Sequence, residues 1–391
     1  MSFIQRPLKP EYQDHRIDIE ALQQIINEYR YKGDKDRRTP AVVMEALMEA
    51  GIHRIWVSRA FGGLQLSLST GMALIEAIAR QDASAAWQMG VQGALSRLSD
   101  YLPESSARHL FQNHSKLIVG VVAPSGKAER VDGGFIVNGS WSFASGSAYA
   151  DWLACAAVVT EKGQAVMTET GPLTRMLFVP KKDYRLLDDW YTTGLRGTAS
   201  NAFEIKDVFV PEEFTIAGSA LLSPPPARPS RAFGIGYYDF GPFTSVPTTL
   251  GIAQDALDSF KEMAIAKVPL GGKTPLKRSH TVHEKIGYAW SLLLSSRLLI
   301  ENAASQASQN GDSGEALSAL IRLSASTIAC NAKKVVDIVH TLSGATSVYE
   351  GNRIEKCFRD INTAVKHITL APASIEMVGQ FIMEEELLVR R

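Results

Sequence analysis

Cysteine is scarce in this chain: Cys155, Cys330 and Cys357 are the only three among 391 residues. Their odd number, with no CxxC and no Cys/His ligand spacing, excludes a disulfide framework and a zinc site, so no metal is expected and the three read as small hydrophobes. Neither sign of charge is in excess, because 41 Lys and Arg cancel 41 Asp and Glu. A chain without a long-range field has little to draw in nucleic acid or anionic lipid. Long apolar runs are also missing. Nothing approaches the roughly 18 apolar residues of a membrane helix, and MSFIQRPLKPEYQDH has no apolar stretch behind its basic residues. A cytoplasmic protein with no membrane partner is expected. The chain has no GxGxxG, no Walker loop and no internal repeat, so the usual nucleotide cradles and an NAD(P)H fingerprint are lacking.

What is present is a large core and a change of texture along the chain. At 45% hydrophobic, 391 residues can fill two or three packed subdomains. Apolar positions recur at three and four in Leu22, Ile25, Ile26 and Tyr29 and again in Met72, Ile75, Ile78 and Ala79, predicting helices cut by Pro40, Gly51, Gly62–Gly63 and Pro103. From about Lys116 the runs become short and β-rich (KLIVGVV, GGFIVNG, WLACAAVV, RMLFVP, NAFEIKDVFVP), predicting a barrel or sandwich. The Pro/Ser/Gly-rich stretch LLSPPPARPSRAFGIGYYDFGPF is expected to be a non-helical linker or lid, with Tyr237, Tyr238 and Phe240 lining or covering a substrate pocket. Four helical segments follow, starting at GIAQDALDSFKEMA and ending with SIEMVGQFIMEEELLV. The expected architecture is α+β, mainly α: a helical domain (1–115), a central β-barrel or sandwich domain (116–220) and a C-terminal four-helix-bundle domain (221–391).

Two segments of the β region carry candidate chemistry. In GSWSFASGS, period-two alternation would set Trp141, Phe143 and Ser145 on one face of an extended strand. By itself that is also the pattern of an ordinary half-buried strand. In GLRGTASNAFEIKDVFVP, Gly194 and Gly197 allow tight turns while Arg196, Thr198, Ser200 and Asn201 supply donors for a phosphate or a polar ring edge. A Gly-rich hairpin loop would look the same.

Taken together, G-x-W-x-F-x-S-G, G-L-R-G-T-x-S-N, an early AFGGLQLSLSTGMALIEAIARQDASAAW and a late R-D followed by His resemble the acyl-CoA dehydrogenase-fold flavin monooxygenases, the oxygenase halves of two-component systems. The resemblance spans nearly the whole chain. It implies a reduced-flavin cofactor, FADH2 or FMNH2, delivered by a separate NAD(P)H-dependent flavin reductase. It also implies O2 and a small aromatic molecule as substrates, a C4a-hydroperoxyflavin on the pathway, and a homotetramer. Ser145 would meet flavin N5. Trp141 and Phe143 would wall the ring, and Arg196, Thr198, Ser200 and Asn201 would contact flavin or its loop.

The late segment CFRDINTAVKHI separates two branches of that resemblance. In the dehydrogenases the base is usually a glutamate eight residues after the R-D aspartate; here that position is Ile368. An isoleucine takes no proton, and it is expected to border the substrate instead. The monooxygenases resemble this chain in placing histidine one residue earlier, at His367, where imidazole can accept a substrate proton or hydrogen-bond an oxygen adduct. On one straight helix Asp360 and His367 would lie about 10 Å apart along the axis, so Asp360 is expected to anchor structure with Arg359 rather than tune the histidine. Phenol hydroxylases of this kind often carry a second histidine after the equivalent of Trp87. This chain has Gln92 there, which favours an indole, a sulfur heterocycle or another neutral aromatic over a simple phenolate. Two other functions remain open: an acyl-CoA dehydrogenase drawing a base from Glu350 or Glu355, and a non-catalytic scaffold. The other histidines, His53, His109, His114, His280, His283 and His340, are expected to be structural.

Overall fold

The computed structural model describes residues 17–113, 116–226, 233–308, 314–385 and 387. The described residues begin with α1 (Ile19–Asp36), α2 (Ala41–Glu49), α3 (Leu68–Ala79), α4 (Ala83–Ser96) and α5 (Glu104–Phe111). Short polar side chains start three of them: Asp18 caps α1, Ser67 caps α3, and Asp82 accepts from Ser84 N and Ala85 N at the head of α4. Trp56 is the wedge between α3 and α4. A Cβ at Gly71 or Gly93 would lie 2.3 or 2.4 Å from its ring, so these glycines are where the indole enters the helix pair. The wedge sets where α4 lies, and α4 reaches the candidate site.

The β region runs β1 (Ile118–Val131), β2 (Gly134–Trp141), β3 (Trp152–Glu161), β4 (Gln164–Ala165), β5 (Met167–Thr168), β6 (Gly171–Pro172), β7 (Thr174–Pro180), β8 (Arg185–Leu186), β9 (Phe203–Pro211) and β10 (Thr215–Ala217). The strands form one mixed sheet in the order β10-β7-β3-β1-β2-β9-β8, with β4 on β3, while β5 and β6 pair separately. Among the described residues only β1 and β3 are parallel; the other neighbours run antiparallel. The expected barrel or sandwich is thus a single strand path whose ends, β10 and β8, do not pair with each other.

Five further helices follow among the described residues: α6 (Tyr237–Ala266), α7 (His280–Ser308), α8 (Glu315–Ser343), α9 (Arg353–Ala364) and α10 (Ala373–Ile382). The four segments read as bundle helices are α6, α7, α8 and α10, and the R-D segment adds α9. Two expectations need correction. Tyr237, Tyr238 and Phe240 form the first turn of α6 rather than a lid, and the helix continues through Pro242 and Pro247. Burial on nearly every side outweighs the two hydrogen bonds those prolines forfeit. CFRDINTAVKHI is not one straight helix either: α9 stops at Ala364, and His367 opens a separate 3₁₀ turn over Ile368–Leu370. Residues 227–232 of the Pro-rich stretch, and His114, lie outside the described residues. Among those described, no helix is long and apolar enough to cross a membrane and no His/Cys/Asp/Glu group is set to hold a metal.

Candidate active site

Strand β2 ends at Trp141, and the chain then turns rather than alternating. Phe143 takes a left-handed backbone (φ 70°) and is 72% exposed, whereas Ser145 is buried. Period-two geometry fails here because the strand has already ended. Trp141 packs the sheet: it is fully buried, donates Nε1–H to Ala156 O, and stacks on Phe203 at 5.2 Å. Phe143 is therefore the aromatic of the pair that offers an open face.

Ser145 Oγ lies 2.8 Å from Ser200 Oγ, which lies 2.6 Å from Thr198 Oγ1, which donates to Leu195 O at 2.9 Å. Each hydroxyl has one hydrogen, so the direction of the chain follows from its end. A carbonyl can only accept. Thr198 spends its hydrogen on Leu195 O, Ser200 spends its own on Thr198, and Ser145 spends its own on Ser200. Ser145 Oγ is left with a free lone pair and no hydrogen to give.

The loop that fixes this chain is held from behind. Leu195 (φ 49°) and Ala199 (φ 44°) are both left-handed, a costly backbone for residues with a Cβ. Asp360 Oδ1 accepts from Leu195 N at 2.7 Å, and Arg359 donates to Thr193 O and to Asp34. Gly194 passes so close that a Cβ would stand 2.1 Å from Arg359 O. The R-D pair is an anchor for the loop, the structural role expected of it. Asp360 Oδ2 in turn meets Lys356 Nζ at 2.7 Å, and Lys356 reaches the α4 cap Asp82 at 3.9 Å. Burial alone would lower the Lys356 ammonium; the carboxylates of Asp360, Asp82 and Asp34 outweigh it and raise it. One buried lysine thus ties the loop to the head of α4.

Helix α4 faces both halves of the site. Ser84 borders Gly197, and Gln88 donates to Thr39 Oγ1 at 2.7 Å and to Ser84 O at 3.0 Å. Those partners fix which end of the Gln88 amide is nitrogen, so its buried Oε1, beside Gly146, is an acceptor without a partner among the described residues. Trp87 packs edge-on against His367, with ring centroids 5.2 Å apart. The His367 Nδ1 lies 2.7 Å from Thr369 Oγ1, and Thr369 Oγ1 lies 2.8 Å from Ser245 Oγ on α6.

Burial pulls the His367 imidazole down to about 4, so it is neutral at physiological pH. The sign of its effect on stability follows. Below about 6.5 the unfolded chain takes up a proton that folded His367 refuses, so this group costs stability as pH falls toward about 4 and adds no further loss below that. Asp255, raised by burial to about 6, contributes the opposite slope. His367→Gln is therefore expected to flatten the loss of stability between pH 6.5 and pH 4 relative to wild type, measured as urea midpoints across that range; an unchanged difference would contradict a neutral, half-buried imidazole.

The remaining candidates scatter. Arg196 is half-buried, bonded to Thr192 O and 3.7 Å from Asp34; Asn201 Oδ1 accepts from Trp190 N. Gln92 is buried one turn beyond Gln88, with Oε1 unpartnered among the described residues. Phe240 is fully buried against Trp56, Phe233 and the Arg97 guanidinium, and Tyr237 is buried while Tyr238 is half-buried. These three serve the core around the start of α6 more than an open pocket. Ile368 is 55% exposed beside His367. Glu355 is engaged by Arg359 at 3.0 Å and Glu350 lies in a turn before α9, so neither is presented as a base. Gln88, Lys356, Thr369 and Ser245 went unnoticed in the sequence. Only Gln88 left a signal there, as a polar residue in the alanine-rich start of α4.

A helical–sheet–helical chain that presents an aromatic face, a serine lone pair and a neutral imidazole has the form of the acyl-CoA dehydrogenase fold. Comparison agrees. The family of acyl-CoA dehydrogenase N-terminal domains matches residues 20–101, and that of acyl-CoA dehydrogenase C-terminal domains matches residues 243–372. Indole-3-acetate monooxygenase of Pseudomonas putida is 27% identical over 355 residues, covering 88% of this chain and 87% of that one. The oxygenase component of the FADH(2)-dependent resorcinol hydroxylase of Rhizobium sp. is 26% identical, covering 90% and 89%. The structure of XiaF from Streptomyces sp. in complex with FADH2 and glycerol superposes with a TM-score of 0.88 at 20% identity, covering 98% of this chain and all of that one (100%). By its two domain matches the chain belongs to the acyl-CoA dehydrogenase family, and over most of its length it is similar to the oxygenase components of flavin-dependent monooxygenases.

Proposed function

We propose that this oxygenase component takes reduced flavin from a separate NAD(P)H-dependent reductase and uses O2 to insert one oxygen atom into a neutral aromatic or heteroaromatic small molecule of phenol or indole type. The observation that carries the reading is the hydroxyl chain ending at Ser145. Its free lone pair suits an N–H donor, and reduced flavin bears a hydrogen at N5 where oxidised flavin bears only a lone pair. The residues present fit the reduced cofactor.

When bound, the flavin supplies the electrons that activate O2. Ser145 would hold the N5 hydrogen in place. Phe143 would cover a ring face, and the loop of Arg196, Thr198, Ser200 and Asn201 would keep Ser145 aimed and contact the cofactor edge. His367, neutral and packed on Trp87, would hydrogen-bond the reacting oxygen or substrate, with Ile368 bordering the substrate and Gln92 favouring a neutral donor over an anion. The relatives' names, indole-3-acetate monooxygenase and resorcinol hydroxylase, support an aromatic substrate without choosing one. Exposed Tyr288, Leu294 and Leu298 on α7 are apolar surface that a homotetramer would cover.

Anaerobic titration tests this directly. Reduced FAD or FMN is expected to bind at least about tenfold more tightly than the oxidised form, the worth of a hydrogen bond gained against two lone pairs opposed. Equal affinity for the two redox states would sink the assignment of Ser145.

A further inference from the structure

The turn after α9 decides which nitrogen of His367 carries its proton. The backbone N–H of Thr369 points at Nδ1 over 3.4 Å, and Thr369 Oγ1 lies 2.7 Å from the same nitrogen. A backbone amide has one permanent hydrogen and no lone pair to offer, so a proton on Nδ1 would stand against it. In the opposite arrangement Nδ1–H would donate to Thr369 and Thr369 to Ser245. Ser245 would then have only Gly241 O and Pro242 O to receive its hydrogen, both at 3.4 Å, and the Thr369 amide would still oppose Nδ1–H. The favoured order runs the other way: Ser245 donates to Thr369, and Thr369 donates to Nδ1 by both hydroxyl and amide. No partner is bonded to Nε2 among the described residues.

We propose that Thr369, backed by Ser245, is a positioning residue that locks His367 in the Nε2–H tautomer, so that His367 acts through Nε2 as a hydrogen-bond donor and not as a base. This narrows the role expected of the imidazole. It meets a lone pair, on oxygen or on the substrate, and takes no proton from a substrate hydroxyl or ring nitrogen at Nε2. The consequence for turnover rests on the function proposed above; the tautomer itself does not depend on flavin.

The test uses the full chain without flavin, labelled with 15N-histidine, at pH 7. Among the 8 histidines, the His367 signals are identified by their loss in His367→Gln. Wild type is expected to show an unprotonated-type shift at Nδ1 and a protonated-type shift at Nε2, in a ratio of about tenfold or more. Thr369→Val removes the hydroxyl donor at nearly constant shape and is expected to raise the Nδ1–H population several-fold, while Thr369→Ser restores the wild-type spectrum. A proton on Nδ1 in wild type, or a Val variant with an unchanged spectrum, overturns the proposal. With reduced flavin and O2 added, Thr369→Val is expected to lower kcat more than it raises KM, with Ser again restoring it. The expected spectra combined with no oxygenation in wild type would uphold the lock and reject the proposed function, so the two failures are distinguishable.

Discussion

Replacing Ser145 with alanine is expected to leave the fold intact, erase the preference for reduced over oxidised flavin, and divert turnover from oxygenated product to hydrogen peroxide. The side chain removed is small, and its Oγ has a single partner among the described residues, Ser200. Ser200 can keep donating to Thr198, so the loop survives the loss. What disappears is the lone pair at the end of the chain. Electrostatic contacts aimed at a reacting centre are commonly worth a hundredfold, and the yield of product per flavin oxidised is expected to fall at least about tenfold. Ser200→Ala is the informative companion. Ser145 is then free to turn its hydrogen outward, so the redox preference is expected to weaken while binding persists. Measured by anaerobic titration and a peroxide assay, an alanine variant that retains both redox preference and coupling would remove Ser145 from the mechanism.

The largest effect on stability is expected at a residue with no contact to the reacting groups. Lys356→Met leaves the buried carboxylates of Asp82 and Asp360 facing each other with their shared cation gone. Breaking a buried pair from one side typically costs about 3–5 kcal/mol, because the surviving charge keeps its desolvation penalty. The loss is expected to reach the site as well. Asp360 holds Leu195 N and Asp82 caps α4, so both the Ser145 loop and the helix carrying Trp87 would loosen. Adding Asp360→Asn to Lys356→Met should recover part of the stability, since one of the two stranded charges is removed while an oxygen remains for Leu195 N. Urea unfolding of the single and double variants measures this coupling. Simple additivity would contradict the ionic chain.

The sequence made some of this legible and hid the rest for physical reasons. Periodicity at three and four marked the helices, and β-branched runs between turn residues marked the strands, because both follow from which side of each element is buried. The loop of Gly194 to Asn201, and Ser145 and His367 as candidates, were legible through the motifs they share with a family. Composition alone carried neither. The strand ending at Trp141 was hidden, since a left-handed Phe143 has no compositional mark, and so alternation assigned Trp141 an open face that the sheet covers. Pro242 and Pro247 argued against helix at the start of α6, where burial overrode local preference. The helix break after Ala364 was equally silent, yet it places Thr369 against Nδ1 of His367. Hydroxyl chains such as Ser145–Ser200–Thr198 and His367–Thr369–Ser245 join residues from 2 to 124 positions apart. No spacing rule foresees them.

The proposed oxygenase directs one atom of O2 into an aromatic substrate. The most direct test supplies chemically reduced flavin to the purified protein under 18O2, with indole-type and phenol-type compounds offered in turn, and weighs the products by mass spectrometry. One 18O atom in an aromatic product, absent when the label is placed in water instead, is the predicted result. Complete conversion of the flavin's electrons to hydrogen peroxide with every aromatic, together with dye reduction on addition of an acyl-CoA thioester, would contradict the account and return the chain to dehydrogenation.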